Sequence, residues 1–83
     1  APLYLVLGTI INDKPGITVA FSDDIVQRGL NAGTLVRELA KEIQGGGGGQ
    51  PFFATAGGKD INGLDRALER ARDMAVSWAE TNG

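Results

Sequence analysis

Eighty-three residues, with eight Lys and Arg against ten Asp and Glu and neither cysteine nor histidine, set narrow limits on this chain. A chain of this size buries only about 60% of its unfolded surface, enough for one small domain. Disulfide frameworks, thiolate chemistry, Cys/His metal sites and histidine-based catalysis are excluded within the segment, and the net charge of −2 argues against a strong autonomous nucleic-acid binder while permitting a local basic face.

Residues 3–11 are aliphatic and β-branched, and Asn12-Asp13-Lys14-Pro15-Gly16 is a dense turn signal. Residues 17–21 resume the apolar pattern, so the first part of the chain reads as a β-hairpin. The opening run Leu3-Tyr4-Leu5-Val6-Leu7 is too short to cross a bilayer and has no basic leader. Nothing here resembles a secretory signal, and a cytoplasmic origin is expected. The Ala1-Pro2 start without an initiator Met suggests a domain excised from a larger protein.

Ser22 offers an N-cap, with Asp23 and Asp24 in the first turn of a short helix over residues 23–27 that stops near Gly29. A longer helix over residues 32–44 follows, capped by Asn31. Its apolar stripe is Ala32, Leu35, Val36, Leu39, Ala40 and Ile43. Gly45-Gly46-Gly47-Gly48-Gly49 ends it, Pro51 opens the next segment, and residues 52–56 read as a third strand ending at Gly57-Gly58. Asp60 or Asn62 caps a last helix whose stripe is Leu64, Ala67, Leu68, Ala71, Met74, Ala75 and Trp78. The order β-β-α-β-α predicts an α+β fold of two layers, a small mixed sheet with a hairpin, covered by two main amphipathic helices. Met74 and Trp78 are expected in the core or against a neighbouring domain.

The glycine run has two readings. A slack linker is the ordinary meaning of such a tract, but it would separate a hairpin and one helix from a lone strand and helix that cannot bury its own apolar stripe. The run is therefore an internal helix-to-strand connection. As a backbone-defined loop it supplies positive φ and close approach, and exposed N–H groups in such runs also form anion-binding nests. It is no Walker loop, because Gln50-Pro51 stands where Gly-Lys-Ser/Thr would follow. It is no dinucleotide fingerprint, because the helix precedes the glycines and the strand follows them. Gly57-Gly58 reads as the turn between the third strand and the last helix.

The stretch GGGGGQPFFATAGGK, residues 45–59, resembles the C-terminal domain family of alanyl-tRNA synthetases, a branch of the DHH-associated domain family. Ala54-Thr55-Ala56-Gly57-Gly58 follows the family's Ala-Gln-Ala-Gly-Gly pattern, with Thr55 in place of glutamine. GTLVRELAKE, residues 33–42, resembles the helix leading into the glycines, and residues 64–71 resemble its closing helix. Gln50 departs from the usual Arg or Lys, and Phe52 from the usual Asp. These departures weaken a phosphate contact from the loop rim and make the rim apolar, suited to another domain or to a stacked base. The absence of histidine favours the synthetase branch over the DHH phosphoesterases, whose glycine motif carries one.

The resemblance implies a parent enzyme that attaches alanine to tRNA with ATP and hydrolyses mischarged tRNA in a separate zinc-dependent domain. ATP, magnesium and zinc then belong to the parent, and this fragment has no cofactor, no metal ligand and no catalytic residue. Its implied role is tRNA binding near the outer corner, where backbone contacts and stacking dominate. Arg37 and Lys41 lie four apart on the longer helix, opposite its apolar face. Arg66 and Arg70 do the same on the last helix, and Lys59 flanks the glycine turn. Each pair is also readable as a solvated face, with Glu38, Glu42, Glu69 and Asp73 as balancing charges. Partners are then tRNA and the other parent domains. A dimerisation module using Trp78, Met74 or Phe52 and a phosphoesterase substrate-binding domain are the alternatives.

Overall fold

The computed structural model of the chain describes residues 3–82, so the Ala1-Pro2 start lies outside the described residues. Strand β1, Tyr4–Ile11, turns through Asn12 and Asp13 into β2, Lys14–Phe21. Asn12 and Asp13 both take positive φ, 52° and 62°. This is the backbone of a two-residue hairpin turn whose twist matches that of the strands. The turn is tighter than the five-residue signal suggests, because Lys14, Pro15 and Gly16 already pair with Ile11, Ile10 and Thr9.

Helix α1 spans Asp23–Gln27 with Ser22 at the N-cap position, but the Ser22 hydroxyl makes no capping bond: it accepts from the Leu3 N–H at 2.8 Å and donates to Asp24. Helix α2, Ala32–Ala40, begins with the Asn31 side chain accepting from the Thr34 N–H at 3.1 Å. It tightens into a 3-10 turn over Lys41–Ile43, and Gln44 closes it in the left-handed conformation at φ 53°. The helix therefore stops just before the glycines.

The glycine run is itself structured, and here the structure corrects the sequence reading. Gly46–Gly49 form β3, an edge strand paired with β4, Phe53–Gly57, around a tip at Gln50-Pro51-Phe52. The sheet order is β1-β2-β4-β3, and every neighbouring pair is antiparallel. Glycine gives no β-propensity and no alternation, so this strand has no sequence signal. Its cause is steric. A Cβ on Gly47 would overlap the Thr55 carbonyl and Ala56 of β4, so only a bare backbone lies this close.

Asp60 caps a 3-10 turn over Ile61–Gly63, accepting from Asn62 N–H at 3.0 Å, and helix α3 follows over Leu64–Asn82. Helices cover one face of the sheet, completing the two-layer α+β arrangement. Ile17, Val19, Phe21 and Ala54 point into the core, which they share with Ala32, Leu35, Val36, Leu39 and Ile43 of the α2 segment and Leu64, Ala67 and Ala71 of α3. Each large aliphatic side chain so buried contributes about 1.5–3 kcal/mol. Met74 and Trp78 pack against the edge of this same core. Tyr4 packs against Phe21 with ring centroids 4.9 Å apart and planes tilted by 33°, and its hydroxyl donates to the Ala71 carbonyl at 3.0 Å.

Candidate nucleic-acid interface

The cations singled out from sequence divide into two groups. Lys41 pairs with Glu38 at 3.2 Å, within α2 and its terminal turn. Arg70 reaches across from α3 to Glu42 at 3.1 Å and Glu38 at 3.9 Å, and also donates to the Glu38 carbonyl at 3.4 Å. Arg66 lies 3.9 Å from Glu42. Three of the candidates thus meet two carboxylates that join the C-terminal end of α2 to α3. Sequence spacing supplies these acids as neighbours on the helix surface; the fold makes Glu38 and Glu42 into interhelical partners.

Arg37 and Lys59 are exposed and make no ion pair or side-chain hydrogen bond among the described residues. The Arg37 guanidinium lies along the glycine strand, 3.7 Å from where a Cβ on Gly48 would stand. Lys59 borders a groove of about 320 Å³ lined also by Lys14, Pro15, Gln44, Gly45, Gly57 and Gly58. Its two walls are joined by the Gly58 N–H donating to the Pro15 carbonyl at 3.1 Å. Lys14 and Lys59 each sit one residue from that bond. Neither is paired with a carboxylate among the described residues, and the Asp60 side chain beside Lys59 is turned to its own cap.

Lys14 escapes the sequence reading. It stands in a turn signal, and only the antiparallel pairing of Gly16 with Gly57 brings the hairpin beside the glycine turn. Single-sequence spacing carries no trace of that pairing.

The glycine ends do not form an open nest of donors. The Gly45 N–H donates to Ala40 O at 3.0 Å, while the N–H groups of Lys59 and Asp60 share Ile43 O at 2.8 and 3.0 Å. These bonds fasten the glycine strand and the β4–α3 junction to the end of α2. The groove can therefore attract an anion through its lysines, not through those amides. No group of three or more acidic side chains suited to a metal ion occurs among the described residues. Among them, too, no helix is long and apolar enough to cross a membrane.

The chain thus presents a small antiparallel sheet backed by helices, with a glycine edge strand and exposed cations near it. The DHHA1 domain family model matches residues 2–77, and the chain belongs to that family. It is 56% identical over 73 residues to alanine–tRNA ligase from Cytophaga hutchinsonii, and 49% over 69 residues to the one from Lactiplantibacillus plantarum. These matches cover 87% and 83% of this chain but only 8% of each relative, so the chain spans a small part of their length. The crystal structure of the C-Ala domain from Aquifex aeolicus alanyl-tRNA synthetase superposes with a TM-score of 0.76 at 27% identity. That superposition covers 84% of this chain and 62% of the other. The resemblance carried by residues 45–59 is thereby borne out.

Proposed function

We propose that this chain is one domain of a longer alanine–tRNA ligase, where it binds the outer corner of tRNA and helps bring aminoacylation and editing together on one tRNA. It performs no chemistry of its own. ATP, magnesium and zinc serve other parts of the parent enzyme, which works in the cytoplasm. The supporting observation is the placement of Arg37 beside the glycine strand and of Lys14 and Lys59 at the groove by Gly45, Gly57 and Gly58, with no carboxylate partner for any of them among the described residues. Unneutralised cations at the rim of a flat surface suit phosphates, whereas Lys41, Arg66 and Arg70 are engaged by Glu38 and Glu42.

The test is titration of the chain with an alanine-tRNA transcript at several salt concentrations. Phosphate contacts make affinity fall as salt rises. Arg37→Ala and Lys59→Ala are each expected to weaken binding and to lower the salt slope by about one. Absence of binding at every salt concentration overturns the reading.

A further inference from the structure

We infer that the sheet face turned away from the helices is a platform for RNA bases, with Phe53 as its stacking residue. This rests on the tRNA-binding reading above and assigns the bases a surface next to the phosphate-facing cations. The strand registers put three rows on that face. Leu5, Ala20 and Phe53 form the first; Leu7, Thr18, Thr55 and Gly48 the second; Thr9, Gly16, Gly57 and Gly46 the third. The alternate residues Val19, Ala54 and Ile17 are buried on the helix side. Rows on one face lie about 7 Å apart along the strands.

The rows differ in chemistry. Phe53 is 47% exposed at the tip end of β4; Ala20 separates it from Leu5, 37% exposed, and Leu7, 49% exposed, begins the next row. An aromatic ring held open on an inner strand presents a flat apolar surface, and stacking on such a ring tolerates any base. The next rows are mostly threonine and glycine, with Leu7 at the β1 end of the second and the Arg37 guanidinium near Gly48 at its other end, so hydroxyls and bare backbone lie beside the ring. Lys14 lies beyond the third row on β2, and Lys59 follows from the end of β4. The apolar end of the face is thus continuous with a cationic end. Lys14 is six residues along β2 from Ala20, about 20 Å in an extended strand. That arrangement fits RNA, whose bases and phosphates demand both surfaces at once. An apolar protein partner would leave the lysines unanswered.

The experiment titrates wild-type chain, Phe53→Ala, Phe53→Tyr and the pair Lys14→Ala/Lys59→Ala with the same alanine-tRNA transcript across salt. Thermal melts accompany each variant; Phe53 lies outside the buried core, so its replacement is expected to leave the melt nearly unchanged. Phe53→Ala is expected to weaken binding about tenfold with the salt slope intact, and Phe53→Tyr to restore it. The lysine pair is expected to lower the slope by about two. Wild-type binding that Phe53→Ala leaves unaltered overturns the base platform while the tRNA reading stands. The same result with reduced self-association in sedimentation gives the face to a second copy instead. Absence of wild-type binding at every salt concentration overturns both.

Discussion

Arg70 on α3 and Glu42 at the end of α2 meet at 3.1 Å, and the same guanidinium donates to the Glu38 carbonyl at 3.4 Å. Glu42 is only 20% exposed, so this pair is better shielded than an ordinary surface bridge. Arg70 is 36% exposed, which keeps its worth near the top of the range for partly exposed pairs, about 1 kcal/mol. Arg70→Ala is therefore expected to lower unfolding free energy by about that amount. Arg37→Ala, on an exposed side chain without a partner among the described residues, is expected to change it by less than about 0.5 kcal/mol. Urea denaturation checks both, and a double-mutant cycle with Glu42→Gln isolates the coupling. Equal costs for the two arginines would contradict the division of cations described here.

Gly46 and Gly47 are neighbours in one strand with opposite tolerance for a side chain. A Cβ on Gly46 meets nothing within 4 Å, and its φ is not positive. Gly46→Ala is thus expected to be neutral or to stabilise by up to about 1 kcal/mol, through the unfolded chain it restricts. Gly47→Ala drives a methyl into the β4 backbone and is expected to cost at least about 2 kcal/mol. A flexible linker predicts no such contrast. Matching denaturation midpoints for the two variants would remove the steric account of β3.

Those two residues also mark where sequence reasoning stops. The α2 segment is legible because Ala32, Leu35, Val36, Leu39, Ala40 and Ile43 recur with helical period, and all of them are buried. The hairpin is legible because apolar runs flank a turn signal, and α1 because Ser22, Asp23 and Asp24 mark its start. Strand β3 is invisible for the opposite reason: five identical residues carry no period, and what orders them is the surface of β4. Excluding the linker was within reach of the sequence, since neither flank closes a core alone. The strand that replaced it was not.

The candidate interface follows the same rule. Arg37 and Lys59 could be named from their positions on a helix and beside a turn. Which cations remain free depends on Glu38 and Glu42, and hence on how α2 packs against α3. Lys14 enters only through the β2–β4 pairing, and the open apolar row containing Phe53 requires the register of three strands. The local chain supplies the chemistry; long-range pairing selects which of it faces outward.

Ile43 joins the parts that make the groove. Its side chain is fully buried, while its carbonyl accepts from both Lys59 and Asp60. Ile43→Ala is expected to cost about 2–5 kcal/mol and Ile43→Val about 0.5–1.5 kcal/mol. Hydrogen exchange adds a local signature: the Lys59 and Asp60 amides should lose protection in Ile43→Ala more than the β1–β2 amides do. A uniform loss across the chain would mean that Ile43 supports only global stability.

Tyr4 supplies a pH dependence that is open to direct observation, because it is the chain's single tyrosine. Burial against α3 raises its pKa from 10.0 to about 12, since the phenolate loses solvation. The neutral phenol is the form that the fold favours, so the folded value lies above the unfolded one. Tyr4's contribution is therefore complete below pH 10, falls as pH climbs between the two values, and is gone above about pH 12. Tyr4→Phe keeps the ring against Phe21 but removes the hydrogen bond to the Ala71 carbonyl, a loss of about 1 kcal/mol at neutral pH. The stability gap between wild type and Tyr4→Phe should hold steady up to pH 10 and narrow above it, with lysine titration common to both proteins cancelling in the difference. Phenolate absorbance of the folded chain should rise near pH 12 and not near 10; a midpoint at the unperturbed value would show the Tyr4 hydroxyl exposed to water instead of held beneath α3.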